Sequence, residues 1–277
     1  MLSNSWTSAN PNFTSGQIIQ AINNARTQGR GGLGSIVVFS SGNFHPRPGF
    51  TGFNGVAFPA NVNGVITVGA IDRNGNIHNY SSRGTEMDLV APSGGVPGDV
   101  VTTDRMGDLG YNDGDNPNYA FEFNGTSAAA PQVSGVAALM LSVNPNLTEA
   151  QVRTILQNTA TDMGASGFDN TFGYGRLNAQ AAVEAALPTI TGPSLVCTSN
   201  TTFTLQNRPA GTNVTWTRSR NLTQVSGQGT DSYVVAANSS TTSGDGWVRA
   251  TLTGPCGDVV LPQRSFWVGL PLKEHTS

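Results

Sequence analysis

The sequence NGTSAAAP, residues 124–131, places a single serine, Ser127, between a glycine-threonine pair and a run of alanines. The residues that follow, as far as Val143, predict a helix that is apolar on nearly every side and therefore buried. Pro131 falls in its first turn, where a missing backbone N–H costs little. The first backbone N–H groups of this helix have no partner within the helix, which allows two interpretations of Ser127. It is either a nucleophile whose reaction centre these donors face, or a serine that only caps the helix.

Strand and helix patterns alternate over the first two thirds of the chain. Short, continuous apolar runs, which are typical of buried parallel strands, occupy residues 35–40, 64–72 and 87–92. Residues 17–28 carry apolar side chains on one helical face, and further helices are predicted after the capping box at Thr148 and after Asn178. Alternating strands and helices predict an α/β fold, a parallel sheet with helices on both faces.

The pattern changes at Pro188. Beyond it, short segments that alternate apolar and polar residues are separated by turn sequences rich in glycine, serine and asparagine. Such segments predict a β-sandwich with an immunoglobulin-like arrangement. The sequence thus divides into an α/β domain of residues 1–187, an all-β domain of residues 188–270 and a tail of residues 271–277.

Both cysteines lie in the last third of the chain. Cys197 falls near the first strand of the predicted sandwich and Cys256 near a late one. An even count in a serine- and threonine-rich β segment predicts one disulfide and an oxidising compartment. Two separate buried thiols are the alternative.

Composition excludes several classes of partner. The 277 residues carry a formal net charge of −3 and only 11% charged side chains, with no run of lysine or arginine. Nucleic acid is therefore not expected as a partner. The longest apolar stretch is shorter than a transmembrane helix and contains Ser134 and Ser142, so no membrane span is expected.

Several segments resemble, in chain order, those of the subtilisin-like serine proteases. They are LSNSW (2–6), IVVFSSGN (36–43), FPANVNGVITVGAID (58–72), YSSRGTEMDLVAPSG (80–94), NGTSAAAPQVSGVAALML (124–141) and the helical segments that close the α/β domain. The resemblance covers residues 2 to about 187 and is most specific around Ser127. It implies a peptidase S8 fold in which a serine hydrolyses peptide bonds through an acyl-enzyme.

The resemblance assigns roles to individual residues. Ser127 corresponds to the acylated nucleophile and Asn43 to the side-chain donor of the oxyanion hole, which Thr126 would assist. The second donor would be the backbone N–H of Ser127. The residues that would line the pocket for the substrate side chain and pair with the substrate backbone are Ser5, Trp6, Ser40, Ser41 and Gly42. Many members of the family have a glycine after the position of Trp6, where this chain has Thr7.

The other two members of the family's catalytic triad are missing from the sequence. The family carries its aspartate in an Asp-Ser/Thr-Gly turn and its histidine in a His-Gly-Thr helix start, and neither motif occurs here. His45 follows the oxyanion segment closely, on the wrong side of the serine for a general base, His78 lies in a polar turn, and His275 lies in the tail. We therefore expect the chain to be the C-terminal part of a longer protease, inactive alone, whose aspartate and histidine lie upstream.

The C-terminal domain resembles the Ig-like or PKD-like modules that follow secreted bacterial proteases, on the segments GPSLVC, PAGTNVTW and VSGQGTDSYVV. The expected protein is a secreted or cell-surface serine endopeptidase that acts on polypeptides. Two alternatives remain. One is a non-catalytic extracellular binding or adhesion protein with a relic protease half, and the other is a split enzyme whose N-terminal half is a separate chain.

The expected chemistry requires no cofactor and no catalytic metal. A structural calcium ion is an open alternative, because the acidic turn NDGDN, residues 112–116, and the pair Glu86 and Asp88 supply oxygen ligands. Turns rich in aspartate, asparagine and glycine are also common without any metal, so no ligand is assigned.

Overall fold

The structure, a computed structural model, describes residues 1–8, 10, 12–44, 55–95, 99–111, 116–255 and 257–270. The chain forms two compact units. The first comprises Met1–Ser142 and Leu147–Ala186, and the second begins at Leu187 and also takes in Val143–Asn146. His45, His275, most of the NDGDN turn, the tail and Cys256 lie outside the described residues, so the predicted Cys197–Cys256 disulfide stays a prediction.

A parallel four-stranded sheet is the centre of the first unit, and it confirms the predicted α/β fold. Its strands, in spatial order, are β1 (Leu2–Asn4), β2 (Val37–Ser40), β3 (Ile66–Ile71) and β4 (Leu89–Pro92). All three pairings are parallel. Every residue of β2 and β3 is buried, because both faces of the sheet are covered. Strand β1 is an edge strand, with Leu2 47% exposed.

Four helices among the described residues accompany this sheet. They are α1 (Gly16–Gln28), followed by a 3₁₀ turn (Gly29–Gly32), α2 (Thr126–Val143), α3 (Glu149–Thr159) and α4 (Ala179–Ala186). The Ser15 side chain caps α1, and Thr148 with Gln151 forms the predicted capping box of α3. A short antiparallel pair, β5 (Thr102–Thr103) and β6 (Tyr119–Ala120), leads into the segment that precedes α2.

Helix α2 has the length and composition of a helix that could cross a membrane, and it is the one such helix among the described residues. Half of its 18-residue window is buried inside the first unit. Ala128, Val133 and Met140 are at most 2% exposed. This burial is typical of the core helix of a globular domain.

The second unit contains two mainly antiparallel sheets. One has the strand order β10 (Asn213–Arg218), β13 (Gly244–Gly254), β15 (Arg264–Val268), β8 (Leu195–Val196), with β14 (Gly257–Val260) also pairing with β13. The other has the order β11 (Leu222–Ser226), β12 (Ser232–Ala237), β9 (Thr201–Gln206), β7 (Thr189–Thr191). Trp216 of β10 and Tyr233 of β12 lie in the core of the second unit, where their rings stack with centroids 5.0 Å apart.

Candidate active site

Ser127 lies in the first turn of α2 and is half-buried. The chain reaches it through Gly125, whose φ of +79° lies in the left-handed region that glycine adopts without strain. A side chain at position 125 would also crowd the site, because a Cβ there would lie 2.9 Å from Nδ2 of Asn43. The sequence Gly-Thr-Ser thus turns the chain sharply into the helix and leaves the space beside Asn43 open.

Asn43 follows β2 and is held by Thr126. Its Oδ1 accepts hydrogen bonds from the backbone N–H and from the hydroxyl of Thr126, each at 2.9 Å. The same hydroxyl accepts the N–H of Gly42 at 3.3 Å. Because Thr126 N–H can only donate, the oxygen of the Asn43 amide must face it. The Nδ2 group is then directed away from Thr126, where it can donate to a bound oxygen.

The hydroxyl of Ser127 contacts the segment after β1. Ser127 Oγ donates to the carbonyl of Ser5 at 3.4 Å, and Ser5 Oγ donates to the carbonyl of Ser127 at 3.1 Å. Trp6, the next residue, is 48% exposed and packs edge to face on Phe39 with ring centroids 5.6 Å apart. These contacts bring Ser5 beside Ser127, and the predicted pairing of Ser5 and Trp6 with a substrate stays a prediction.

The remaining predicted substrate-binding residues are buried. Ser40 and Ser41 are 3% and 0% exposed, and Gly42 is buried as well. The backbone N–H of Ser41 donates to Val68 in β3, and within the described residues its hydroxyl has no hydrogen-bond partner. The substrate-binding role of these three residues stays a prediction.

A cavity of about 490 Å³ opens beside the candidate nucleophile. Asn43 and Ser127 line one part of it, and the rest is formed by residues 102–104, 120 and 122–124 together with Tyr111. Glu122 and Tyr111 are exposed. The cavity is large enough for one or two amino-acid side chains, so a polypeptide segment could reach both Ser127 and Asn43.

His78, the one histidine among the described residues, contacts other groups. Its Nε2 lies 3.2 Å from the carbonyl oxygen of Ser93, and its ring stacks on Tyr80 with centroids 4.7 Å apart and an interplanar angle of 12°. Ser127 Oγ donates to a backbone carbonyl and not to this imidazole. The described residues therefore do not form a serine–histidine pair.

Two residues that the sequence analysis did not single out touch the turn before Ser127. Tyr80 Oη accepts the N–H of Gly125 at 3.2 Å and donates to Ser93 Oγ at 2.9 Å, with the Gly94 carbonyl at 3.2 Å. Ser93 Oγ donates to the carbonyl of Gly125 at 2.7 Å. The parallel bridge between Gly94 and Asn124 brings Ser93 close to Gly125, and no motif spacing in the sequence signals this contact.

Asp88 is engaged in the core and is not available to a cation. Its Oδ2 accepts the N–H of Thr67 at 2.8 Å, and its Oδ1 accepts from Arg153 Nε at 2.8 Å and Gln157 Nε2 at 2.6 Å. Burial raises the pKa of this carboxyl, against the opposing effects of Arg153 and these hydrogen bonds.

Across the described ranges, no three histidine, cysteine, aspartate or glutamate side chains are grouped as a metal site requires. Asp88 is thus held by protein donors, and a structural calcium ion stays an open alternative with no ligand assigned.

Comparison with known proteins identifies the family of each unit. The model of the subtilase family, Peptidase S8, matches residues 1–175, and that of a PKD-like domain matches residues 183–261. The chain is 36% identical over 197 residues to a calcium-dependent protease of Trichormus variabilis, a match that covers 65% of this chain and 29% of the relative. It is 38% identical over 163 residues to alkaline elastase YaB of Bacillus sp. strain YaB, covering 59% and 35% of the two chains.

Shorter relatives and solved structures agree with this result. Subtilisin Savinase of Lederbergia lenta is 34% identical over 167 residues, which cover 59% of this chain and 49% of that protein. The structure of a lanthipeptide protease superposes with a TM-score of 0.50 at 25% identity, over 66% of this chain and 61% of the other. The chain thus spans between 29% and 49% of the length of these three curated relatives. Since the family model matches well over half of its residues, the chain belongs to the subtilase family of serine proteases and carries a PKD-like domain after its subtilase part.

Proposed function

We propose that Ser127 is the acylated nucleophile of a serine endopeptidase and that Asn43 binds the oxyanion of its tetrahedral intermediate. In this reaction Ser127 Oγ attacks a peptide carbonyl, and its proton passes through a general base to the leaving amine. The negative charge that develops on the carbonyl oxygen accepts hydrogen bonds from Asn43 Nδ2 and from the backbone N–H of Ser127. Water then hydrolyses the acyl-enzyme and releases the second product.

The observation that carries this proposal is the pair of hydrogen bonds from Thr126 to Asn43 Oδ1. An oxyanion donor is effective when it is oriented before the reaction, because no energy is then spent on turning it during the reaction. Thr126 provides this orientation, and it directly precedes the nucleophile in the chain. A serine that merely capped a helix would have no need of a fixed amide donor beside it.

The general base is proposed to be a histidine outside the 277 residues, paired with an aspartate that is also outside them. Neither of the two family motifs for these residues occurs in the sequence. Within the described part of the chain, the hydrogen-bond partner of Ser127 Oγ is the Ser5 carbonyl, at the long distance of 3.4 Å. The outer edge of β1, which has no neighbour among the described strands, and the exposed Leu2 offer a surface on which a complementary segment can add to the sheet. This segment is either an upstream part of the same polypeptide or a separate chain.

The substrate is proposed to be a polypeptide that binds as an additional strand. Ser5 and Trp6 lie past the end of β1 and so beyond Leu2–Asn4, the residues to which the complementary segment would add. Backbone pairing at such an edge is independent of sequence, while adjacent pockets select side chains. Trp6, with nearly half of its surface exposed, would contact the substrate side chain before the scissile bond.

The complete protease is proposed to be secreted or displayed at the cell surface. The PKD-like match and the even cysteine count support an extracellular location. No cofactor is needed for the chemistry. Calcium is proposed only as a structural ion. The name of the Trichormus variabilis relative supports this proposal. No ligand for the ion is assigned among the described residues.

A serine-reactive fluorophosphonate tests the proposal. The product of the complete gene, or this chain mixed with a separately encoded N-terminal half, should be labelled at Ser127, and the Ser127→Ala variant should not. The 277-residue chain alone should react at least about a hundredfold more slowly, because a positioned base contributes roughly 10²–10⁴-fold. Equal labelling of the chain alone would place the base within it. Absence of labelling in every form would favour the non-catalytic binding protein instead.

A further inference from the structure

The peptide unit that joins Gly125 to Thr126 is held at both of its ends. Its N–H, which belongs to Thr126, donates to Asn43 Oδ1 at 2.9 Å. Its carbonyl, which belongs to Gly125, accepts from Ser93 Oγ at 2.7 Å and from the N–H of Ala128 at 3.0 Å. Because a trans peptide is planar, its carbonyl and N–H move together. A rotation that breaks the bond to Ser93 therefore also displaces the N–H that holds Asn43.

Tyr80 extends this arrangement by one residue. Its hydroxyl accepts the N–H of Gly125 at 3.2 Å and donates to Ser93 Oγ at 2.9 Å. The two hydroxyls thus form a short relay that contacts Gly125 on its N–H and on its carbonyl. Burial raises the pKa of the Tyr80 phenol, so its hydroxyl keeps the proton that this relay requires.

The relay is itself fixed by its surroundings. Ser93 is only 2% exposed, and it directly follows strand β4. The ring of Tyr80 stacks on His78, whose Nε2 lies 3.2 Å from the carbonyl of Ser93. Gly125 has no side chain and a left-handed φ, so its own conformational preferences restrict this turn little. The turn consequently depends on external contacts for its orientation.

We propose that Tyr80 and Ser93 are positioning residues for the oxyanion donor of this site. They set the plane of the Gly125–Thr126 peptide, the peptide N–H sets the side-chain amide of Asn43, and Nδ2 is thereby directed toward the developing negative charge. This inference rests on the proposed function, since it assigns the relay a role in the same oxyanion hole. It predicts that Ser93 and Tyr80 act through Asn43 and make no contact with the substrate.

The first test uses the 277-residue chain itself and needs no activity. In the ¹⁵N-labelled protein, Ser93→Ala and Tyr80→Phe should each shift the resonances of the Thr126 amide and the Asn43 side-chain NH₂. Hydrogen exchange of the Gly125 amide should become about tenfold faster in Tyr80→Phe, because its acceptor is removed. Unchanged resonances for Thr126 and Asn43 in both variants would overturn the proposal.

Two control variants remove hydroxyls of the same kind elsewhere. Ser142→Ala deletes a hydroxyl that donates to the Leu139 carbonyl at 2.7 Å in the same helix. Tyr174→Phe deletes a phenol that is 39% exposed and stacks edge to face on Phe168. Neither should alter the Thr126 or Asn43 resonances. Ser93→Thr, which keeps the hydroxyl, should preserve them and so separate the loss of the bond from a failure to fold.

The second test measures kinetics in the complete protease. Ser93→Ala should lower kcat about tenfold with KM unchanged, since the hydrogen bond serves the transition state and not substrate binding. In an Asn43→Ala background the same substitution should cost less than about twofold, because residues that act through a shared partner are not additive. Equal losses in both backgrounds would overturn the proposal. If the complete protein never cleaves peptides or reacts with fluorophosphonate, the proposed function fails, while the resonances still decide whether the relay orients Asn43.

Discussion

The side-chain oxygen of Asn43 accepts two hydrogen bonds from a single residue, Thr126, through its backbone N–H and its hydroxyl, both at 2.9 Å. Thr126 is 1% exposed and also accepts the N–H of Gly42. One threonine therefore connects the end of a central strand to the start of the helix that carries Ser127. The orientation of the Asn43 amide depends on that connection.

Replacing Thr126 by valine should loosen Asn43 while preserving the shape of the core. Valine has the same branched outline, but it removes the hydroxyl that links Gly42 N–H to Asn43 Oδ1. We expect kcat of the complete protease to fall about tenfold, the equivalent of roughly 1.4 kcal/mol, which is the size of one hydrogen bond to a neutral group. Thr126→Ser, which keeps the hydroxyl, should lose much less. Equal activity in the valine and serine variants would contradict a role for the hydroxyl.

Replacing Asn43 by alanine should remove the donor itself. Subtilisin, a member of this family, is the established case of such a loss, which costs about 10²–10³-fold in kcat. The expectation here is a fall in kcat at nearly constant KM, measured on a peptide substrate of the complete protease. The matched control is Asn61→Ala, which removes an asparagine side chain from the segment between β2 and β3. A large rise in KM without a change in kcat would assign Asn43 to ground-state binding instead.

The sequence predicted the architecture where local pattern and burial agree. The continuous apolar runs became the buried strands β2, β3 and β4, and the capping box at Thr148 begins α3 as expected. In the second unit, the alternating segments became β9, β10, β12, β13 and β15. The short strands β7, β8, β11 and β14 of this unit were missed, because two to five residues carry too little periodicity to be distinguished from loops.

The site was predicted less completely than the fold. Ser127, Asn43 and Thr126 were predicted because they lie in contiguous segments that resemble a family; the structure brings Thr126 and Asn43 into contact, and the catalytic roles stay a proposal. Tyr80 and Ser93 were not found, since their contact with Gly125 depends on how the chain returns after β4 and runs beside Asn124. Tertiary placement of this kind leaves no spacing signal in the sequence. Burial of Asp88 likewise follows from its partners Arg153 and Gln157, which lie more than sixty residues away.

Replacing Arg153 by methionine should destabilise the subtilase unit strongly. Its guanidinium contacts Asp88, whose side chain is 1% exposed, at 2.8 Å. Because Arg153 is itself 31% exposed, its removal should cost roughly 3 kcal/mol, the lower end of the range for breaking a buried ion pair, by leaving the buried Asp88 poorly compensated. Urea unfolding of the full chain should show this loss. Arg176→Met, at an exposed position in the same unit, should change the free energy of unfolding by less than about 0.5 kcal/mol. Equal effects would mean that the Asp88–Arg153 pair contributes nothing specific.

Asp88 should also make stability depend on pH in a defined direction. Burial raises the pKa of its carboxyl in the folded state above the unfolded value of about 3.9. Between these two pKa values the folded protein binds more protons than the unfolded chain, so this group's contribution to stability falls as the pH rises through the interval. The native protein and the Asp88→Asn variant should therefore differ more in free energy of unfolding, in favour of the native protein, at a pH below this interval than at a pH above it. A difference that instead increases would show that Arg153 and the hydrogen bonds outweigh burial.

The core of the PKD-like unit should depend on Trp216. This side chain is 2% exposed, stacks on Tyr233 with ring planes 2° apart, and donates from Nε1 to the Thr230 carbonyl at 2.8 Å. Trp216→Ala should cost about 3–5 kcal/mol, because it leaves a cavity that the sheets cannot fill. Trp216→Phe should cost less, since it keeps an aromatic ring and loses chiefly the hydrogen bond.

The matched control for that substitution is Trp247, which is half-buried and lies under the guanidinium of Arg249, 5.3 Å from the ring centroid. Trp247→Ala should destabilise the same unit by less than half as much, because solvent can occupy the space it leaves. Near-ultraviolet circular dichroism and urea unfolding of the full chain would measure both variants. Similar losses for Trp216 and Trp247 would contradict a core centred on the stacked pair, and would place the second tryptophan in an equally important packing role.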